Sequence, residues 1–215
     1  MLIKIRLMVI AFLSMIFGCG PNQSNIIPDN NHSSAGLRSK NEKPVVAFHQ
    51  AALDGQKSDI IRLLSEGTDV NIKDVEGRTA IMYASYNGHT DIVKELLNRG
   101  AEVNLYDHYG RTALMFASSG PFEETVKLLL EHQADPNITD AEKHFTALMY
   151  AAAEGQLDVV KLLLTYKADS ALKDAGGNDA VTFALKNGHK EVADFIRSFI
   201  KSKNELKEKE NKLPK

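Results

Sequence analysis

The sequence has little of what disulfide cross-links or common active sites require. It contains one cysteine, Cys19, in 215 residues, so it cannot form an internal disulfide. It also lacks the motifs G-x-S-x-G, H-E-x-x-H and C-x-x-C, as well as a glycine-rich phosphate loop. These absences argue against an enzyme, and we expect no catalytic residues, cofactor or metal.

An excess of positive charge is missing as well. The formal net charge is −2, but residues 45–200 contain 15 Lys and Arg against 23 Asp and Glu, a net charge of −8. Residues 201–215 carry six Lys and three Glu and form a short basic tail. Because the acidic central part would repel phosphate backbones, nucleic acid is not expected as a partner.

The N-terminus has the pattern of an export signal. Lys4 and Arg6 precede an apolar run, Leu7 to Phe17, which is shorter than the roughly 20 residues of a spanning helix. The run ends in Gly18-Cys19 and resembles the lipobox of bacterial lipoproteins, although Phe17 is larger than the usual residue there. The resemblance implies a signal peptide over 1–18, lipidation of Cys19 and anchoring to a bacterial membrane, in a Gram-negative cell the outer membrane facing the periplasm.

The segment 19–44 follows as a predicted linker. It is rich in Asn, Ser, Pro and Lys, has no apolar periodicity and offers too little apolar surface to form a core. A flexible chain from Gly20 to Lys43 would have a root-mean-square reach of roughly 27 Å. We therefore expect the folded part to begin at about residue 45 and to lie at a distance from the membrane surface.

The central part of the chain repeats itself. The segment that starts at Thr79, TAIMYA, recurs as TALMFA from Thr112 and TALMYA from Thr146, and a degenerate copy, DAVTFA, starts at Asp179. The starts are spaced by 33 or 34 residues, and Phe48-His49-Gln50-Ala51 lies in the same register one period earlier. Such a period indicates a stack of similar structural units.

The repeat resembles the ankyrin repeat, whose signature is T-P-L-H-x-A, then G-H, a V-V-x-x-L-L helix and G-A-D-V-N. The resemblance covers residues 45–200 and implies an all-α repeat solenoid of about five helix-turn-helix units joined by β-hairpin loops. The predicted units 1 to 5 span residues 45–74, 75–107, 108–140, 141–174 and 175–200, followed by a charged tail or frayed helix over 201–215.

The residues of each unit agree with this fold on physical grounds. Thr79, Thr112 and Thr146 stand where a hydroxyl can cap the first helix, and the second helices carry an apolar stripe that predicts a stacked core. Gln133 and Lys167 replace glycines at a position that favours left-handed backbone. Unit 3 has Pro121 where unit 2 has Gly88, and unit 4 has an extra residue within 141–145, so both loops should differ locally.

The histidines and acidic residues are better explained by the repeats than by chemistry. His108 and His144 lie on successive predicted tips and could share a metal, but no second pair of ligands has zinc-site spacing. Asp69, Glu102, Asp135 and Asp169 recur at one repeat position, which favours a structural role over an acid/base pair. A metal site or a residual enzyme is therefore the weakest of the alternatives.

The resemblance implies that the chain binds a protein, because ankyrin partners contact the hairpin tips and the exposed side of the first helices. The matching positions are Glu76, Arg78, Tyr86, Asn87, His108, Tyr109, Arg111, Ser119, Lys143, His144, Phe145 and Glu154. We expect a monomeric, membrane-tethered module that binds one folded partner on its concave surface, as a periplasmic immunity-type or protective inhibitor, with a structural envelope scaffold as the alternative. Tyr109 and Phe145 are predicted to be exposed rings, flanked by Arg78, Arg111 and Lys143 in a locally basic tip surface.

Overall fold

The computed structural model describes residues 42–211, all of which lie in the compact unit Ser39–Lys215. The proposed signal peptide, Cys19 and most of the linker lie outside the described residues. Within them the chain forms ten helices. They are α1 (Glu42–Asp54), α2 (Lys57–Ser65), α3 (Ala80–Tyr86), α4 (Thr90–Asn98), α5 (Ala113–Ser118), α6 (Glu123–Glu131), α7 (Ala147–Ala153), α8 (Leu157–Thr165), α9 (Ala180–Lys186) and α10 (Lys190–Asn211).

The ten helices form five pairs, one for each predicted unit. Each first helix (α1, α3, α5, α7, α9) packs on the first helices of the neighbouring units, and the second helices form a parallel row in the same way. The all-α repeat solenoid is therefore confirmed. The hairpin loops have less strand character than predicted: in residues 42–211 there is no strand, and the pairing is limited to one isolated bridge between Tyr106 and Thr112.

The core follows the apolar stripe that the sequence shows. In α4, Ile92, Val93 and Leu96 are fully buried, and Leu129 and Leu163 are buried at the equivalent level in α6 and α8. Fully burying one such side chain stabilises the fold by about 1.5–3 kcal/mol. Alanine recurs at one position of the first helices, where Ala84, Ala117, Ala151 and Ala184 are fully buried, and this small side chain lets neighbouring units approach closely.

The predicted threonine caps are confirmed at two of three positions. The hydroxyl of Thr112 accepts the backbone N–H of Met115 at 3.4 Å, and that of Thr146 accepts the N–H of Met149 at 3.3 Å. Thr79 has the same extended backbone but makes no side-chain cap. In unit 5 the carboxylate of Asp179 takes over this role, since it accepts the N–H of Thr182 at 2.8 Å.

The structure shows how two of the predicted deviations from the repeat pattern are accommodated. Gln133 and Lys167 both have φ of +68°, so they adopt the left-handed backbone that glycine has elsewhere in the repeat. In unit 3, Phe122 lies against Gly88 and Gly120, and a Cβ added at Gly88 would come within 2.2 Å of the Phe122 ring. His89 and His189 lie in the same way against Gly55 and Gly155, so a ring over a glycine joins the loops of consecutive units.

Both ends of the array are more helical than expected. Helix α1 begins at Glu42, slightly before the predicted boundary, and α10 continues through Asn211, so most of the 201–215 segment is an extension of the last helix. Arg197 is exposed on the outer side of α10 while Ile196 is buried. Among residues 42–211, no helix has both the length and the apolar character needed to cross a membrane.

Candidate functional site

The tips of units 2 to 5 are tight turns, each organised by the aspartate that opens it. We call residues 74–78, 107–111, 140–145 and 174–178 the tips. At the first, Oδ1 of Asp74 accepts the backbone N–H groups of Glu76 and Arg78, both at 2.8 Å, and the N–H of Asp74 donates to the Arg78 carbonyl at 2.9 Å. Because a short side-chain acceptor replaces backbone partners in this way, the turn keeps one conformation.

Backbone hydrogen bonds join neighbouring tips to one another. The N–H of His108 donates to the Glu76 carbonyl at 2.9 Å, that of Ala141 to Tyr109 at 2.8 Å, and that of Ala175 to Lys143 at 2.9 Å. The tips therefore form one continuous edge rather than four independent loops. A partner that binds to this edge would meet a preorganised surface.

The arginines of the tips form ion pairs with carboxylates of the protein itself. The Arg111 guanidinium donates twice to Oδ2 of Asp107, at 2.9 and 2.7 Å, and the Asp107 side chain is fully buried. Arg78 pairs with Glu76 and lies 3.8 Å from Asp107. The predicted basic tip surface is therefore wrong at Arg78 and Arg111, because both cations neutralise carboxylates of their own or the adjacent tip.

Phe145 is not an exposed tip residue, and this prediction is wrong as well. Its side chain is only 5% exposed and packs against Phe183, with 4.7 Å between ring centroids, and edge-on to Tyr150 at 5.5 Å. The extra residue in unit 4 is accommodated by His144, whose φ of +60° turns the chain. Phe145 occupies the repeat position of Arg78 and Arg111, so comparison of the units could have predicted that its side chain points inward.

A hydroxyl satisfies the tip aspartate where no arginine does. Tyr150 donates to Asp140 at 3.0 Å, and Tyr83 donates to Asp74 at 2.6 Å. Burial raises the pKa of Tyr150, and the adjacent Asp140 carboxylate raises it further. These tyrosines thus hold their protons in structural hydrogen bonds to the tip aspartates.

The described histidines also have structural surroundings. His49 is buried, donates from Nε2 to the Ile72 carbonyl at 3.0 Å and lies 5.6 Å from the Tyr83 ring, and burial lowers its pKa. His108 and His144 are exposed, and no group of three or more metal-binding side chains occurs among the described residues. Asp69, Asp135 and Asp169 each accept the backbone N–H of the residue two positions later, which is the repeat role expected of them.

Three exposed apolar residues lie at or directly before the tips of units 2 and 3. Tyr109 is 42% exposed, as predicted, and Tyr106 and Val75 are exposed to 59% and 92%. The repeat comparison missed Tyr106 and Val75. Tyr106 could have been found from the alternation of the chain, because Leu105 packs on the core, Tyr106 points outward and Asp107 is buried.

The remaining predicted positions lie at the C-terminal ends of the first helices, away from the tips, and are half-buried. Tyr86 packs edge-on against Phe116 at 6.1 Å, the Asn87 amide donates to the Leu53 carbonyl at 2.6 Å, and the Ser119 hydroxyl donates to the Phe116 carbonyl at 2.8 Å. The contacts of Tyr86 and Asn87 join neighbouring units, whereas the Ser119 hydrogen bond lies within its own unit. Glu154 differs, since among the described residues its carboxylate makes no hydrogen bond or ion pair, and burial raises its pKa.

Helix pairs stacked at a fixed period, with tips locked into one edge, define a repeat protein that presents an extended surface. The family model described as ankyrin repeats (3 copies) matches residues 48–140 and 126–206. The chain belongs to the ankyrin-repeat family, whose repeats generally mediate protein–protein interaction and are typically not enzymes. No curated protein matches the sequence.

Proposed function

We propose that this chain binds a folded protein partner through its tips and the exposed side of its first helices, which together we call the first-helix face. The observation that carries the proposal is the exposure of Val75 and Tyr109 on two tips joined by a backbone hydrogen bond, and of Tyr106 directly before the second of these tips. Tyrosine is a frequent interface anchor, and a preorganised surface favours docking.

Contacts within the protein also hold Tyr109 and Tyr106 in place, which favours binding. The Arg111 guanidinium lies 4.7 Å from the centre of the Tyr109 ring and is itself held by the buried Asp107. Lys73 donates to the Tyr106 carbonyl at 3.2 Å and lies 5.6 Å from its ring. Because these rings are held in place before binding, little conformational entropy is lost on docking.

The test begins with affinity capture on the full chain in membranes, followed by identification and purification of the recovered protein. Its affinity is then measured for wild type, Tyr109→Ala and Tyr106→Ala. Truncation of a central anchor should weaken binding by about 2 kcal/mol, roughly thirtyfold. The matched control is Ile61→Ala, since Ile61 is an exposed apolar residue on the second helix α2. Equal affinities for all four proteins would contradict the proposed surface and indicate a binding site on the second helices or in residues 201–215.

We further propose that the array is tethered to a membrane through a lipid on Cys19, on the periplasmic side of the outer membrane. The support is the N-terminal sequence: a basic start, an apolar run and Gly18-Cys19. Cys19→Ala should abolish palmitate labelling and membrane association, and leave the melting temperature of the repeats unchanged. Equal labelling of wild type and variant would refute the lipid anchor.

The consequence of binding is proposed to be inhibition or protection of the partner, for which the support is the combination of export signal and interaction module. If the captured protein is an enzyme, its activity with and without the repeat protein tests this role directly. An unchanged activity and stability of the partner would favour the structural scaffold.

A further inference from the structure

One carboxylate on the first-helix face has no hydrogen-bond or ion-pair partner among the described residues. Glu154 follows α7 directly and is half-buried, and in residues 42–211 no hydrogen bond or ion pair reaches its carboxylate. Burial raises the pKa of Glu154, and the electrostatic effect of His189, whose ring lies against Gly155, lowers it by a smaller amount. Since burial without a partner disfavours the charged form, the free protein holds this group in an unfavourable place.

The same repeat position in other units shows what Glu154 has replaced. Asn87 and Asn187 donate their side-chain amides to the carbonyls of Leu53 and Ala153, at 2.6 and 2.7 Å, and so bind each unit to the preceding one. An ionised glutamate has no proton to donate to such a carbonyl. Glu154 also stands at the C-terminal end of α7, where the helix dipole disfavours negative charge.

Neither of the two tip arginines neutralises Glu154. Arg111 is held by Asp107, and Arg78 pairs with Glu76, at the opposite end of the first helices. Residues 45–200 carry a net charge of −8, so the region as a whole attracts a basic molecule. Unit 4 thus offers a partly desolvated carboxylate. A cation that binds there would form a stronger hydrogen bond than at a fully exposed carboxylate.

We infer that Glu154 binds an arginine or lysine side chain of the protein partner. The inference rests on the proposed function and specifies the partner: a protein with a basic surface, on which one exposed cation lies near an apolar patch. The patch would contact Tyr109 and its neighbours at the tips, and the cation would reach Glu154 at the other end of the first helices. A seven-residue helix such as α7 is about 10 Å long, so one interface of ordinary size covers both.

The first experiment uses a defined probe on the full chain in mild detergent. N-acetylarginine amide and its neutral isostere N-acetylcitrulline amide are titrated against 15N-labelled protein at constant ionic strength. Saturable shifts of the Glu154 and Gly155 amides are expected with the arginine compound alone, and Glu154→Gln should abolish them. Equal shifts with both compounds, shifts that persist in Glu154→Gln, or no saturable shift would overturn the inference.

The second experiment separates this inference from the proposed function. The captured partner is titrated against wild type, Glu154→Gln, Tyr109→Ala and Glu124→Gln, the last as a matched loss of one exposed charge on the second helix α6, away from the proposed binding surface. Glu154→Gln should weaken binding at least tenfold and flatten the salt dependence of Kd, and Glu124→Gln should do neither. If Tyr109→Ala weakens binding and Glu154→Gln does not, the inference fails and the proposed function stands. If neither variant weakens binding, both fail.

Stability provides the control against a merely structural role. Glu154→Asn restores the amide found in units 2 and 5, so it should raise the melting temperature while it weakens binding. A lower melting temperature for Glu154→Asn and Glu154→Gln would show that the glutamate stabilises the fold, and would overturn its assignment to the partner.

Discussion

Truncation of Phe145 should destabilise the repeat array rather than alter a surface. The ring is almost completely buried and packs against Phe183 in the following unit and Tyr150 in its own. Phe145→Ala would leave a cavity between units 4 and 5, and it would also remove the apolar cover from the hydrogen bond between Tyr150 and Asp140. The tip of unit 4 therefore contributes to the stacking of units.

The expected loss follows from the size of the deleted side chain. Buried Phe→Ala substitutions cost about 3–5 kcal/mol, and Phe145 belongs at the lower end because the site lies at the edge of the core. For a domain of this size, each kcal/mol lowers the melting temperature by about 2–4 °C, so a loss of about 3 kcal/mol corresponds to about 6–12 °C. Circular dichroism at 222 nm during heating measures this shift, with urea denaturation as the equilibrium comparison.

Two variants make the measurement decisive. Tyr109→Ala removes a ring that is 42% exposed, so its melting temperature should stay close to that of wild type. Phe145→Leu preserves most of the apolar volume and should lose much less stability than Phe145→Ala. If Phe145→Ala and Tyr109→Ala have the same melting temperature, Phe145 does not join units 4 and 5 and the reasoning is refuted.

Three further outcomes are expected. Leu129→Ala, in the centre of α6, should lose about 2–5 kcal/mol in urea denaturation and Lys127→Ala at most about 0.5, and equal midpoints would place Leu129 outside the core. Gln133→Gly should gain about 0.5–1 kcal/mol because it relieves a left-handed backbone with φ of +68°, and a gain equalled by Gln133→Ala would contradict this cause. Burial lowers the pKa of His49 in the folded chain below its ordinary value of 6.5. As the pH falls, the unfolded chain therefore binds a proton at His49 before the folded chain does, and the free energy of unfolding should decrease below about pH 6.5. Urea midpoints at several pH values test this, and an identical decline in His49→Gln would assign it to another group.

The part of the fold that depends on periodicity was predictable from the sequence. The stripe that includes Leu96 and Leu129 recurs every 33 or 34 residues, and a helix that buries one face against identical neighbours leaves little freedom for another arrangement. The left-handed backbone at Gln133 and Lys167 was predictable for the same reason, because neighbouring units have glycine there.

Side-chain direction at the tips was harder to predict because it depends on which groups the folded stack buries. Arg111 was expected to be an exposed cation, but it pairs with the Asp107 carboxylate of its own tip, which the stack buries. Phe145 was expected to be an exposed ring, but it packs against Phe183 in the next unit. The sequence shows neither the burial of Asp107 nor the position of Phe183 beside this tip.

The tips obey one rule that links these results: the aspartate that opens each tip receives a donor from the side chain available in its unit. Unit 2 uses the hydroxyl of Tyr83 and unit 4 that of Tyr150. Unit 3 has Phe116 at this position, which has no hydroxyl, and there Arg111 supplies the donor and lies 5.0 Å from the Phe116 ring.

The arginine is therefore a structural substitute for a missing hydroxyl, because without it the buried Asp107 carboxylate would lose the ion pair at Oδ2, which would cost several kcal/mol. This use of Arg111 removes a cation from the surface at the centre of the array. The first-helix face is left with exposed rings near the tips and, at the far end of the helices, with Glu154, whose carboxylate has no hydrogen bond or ion pair within residues 42–211, and the proposed basic partner follows from this arrangement.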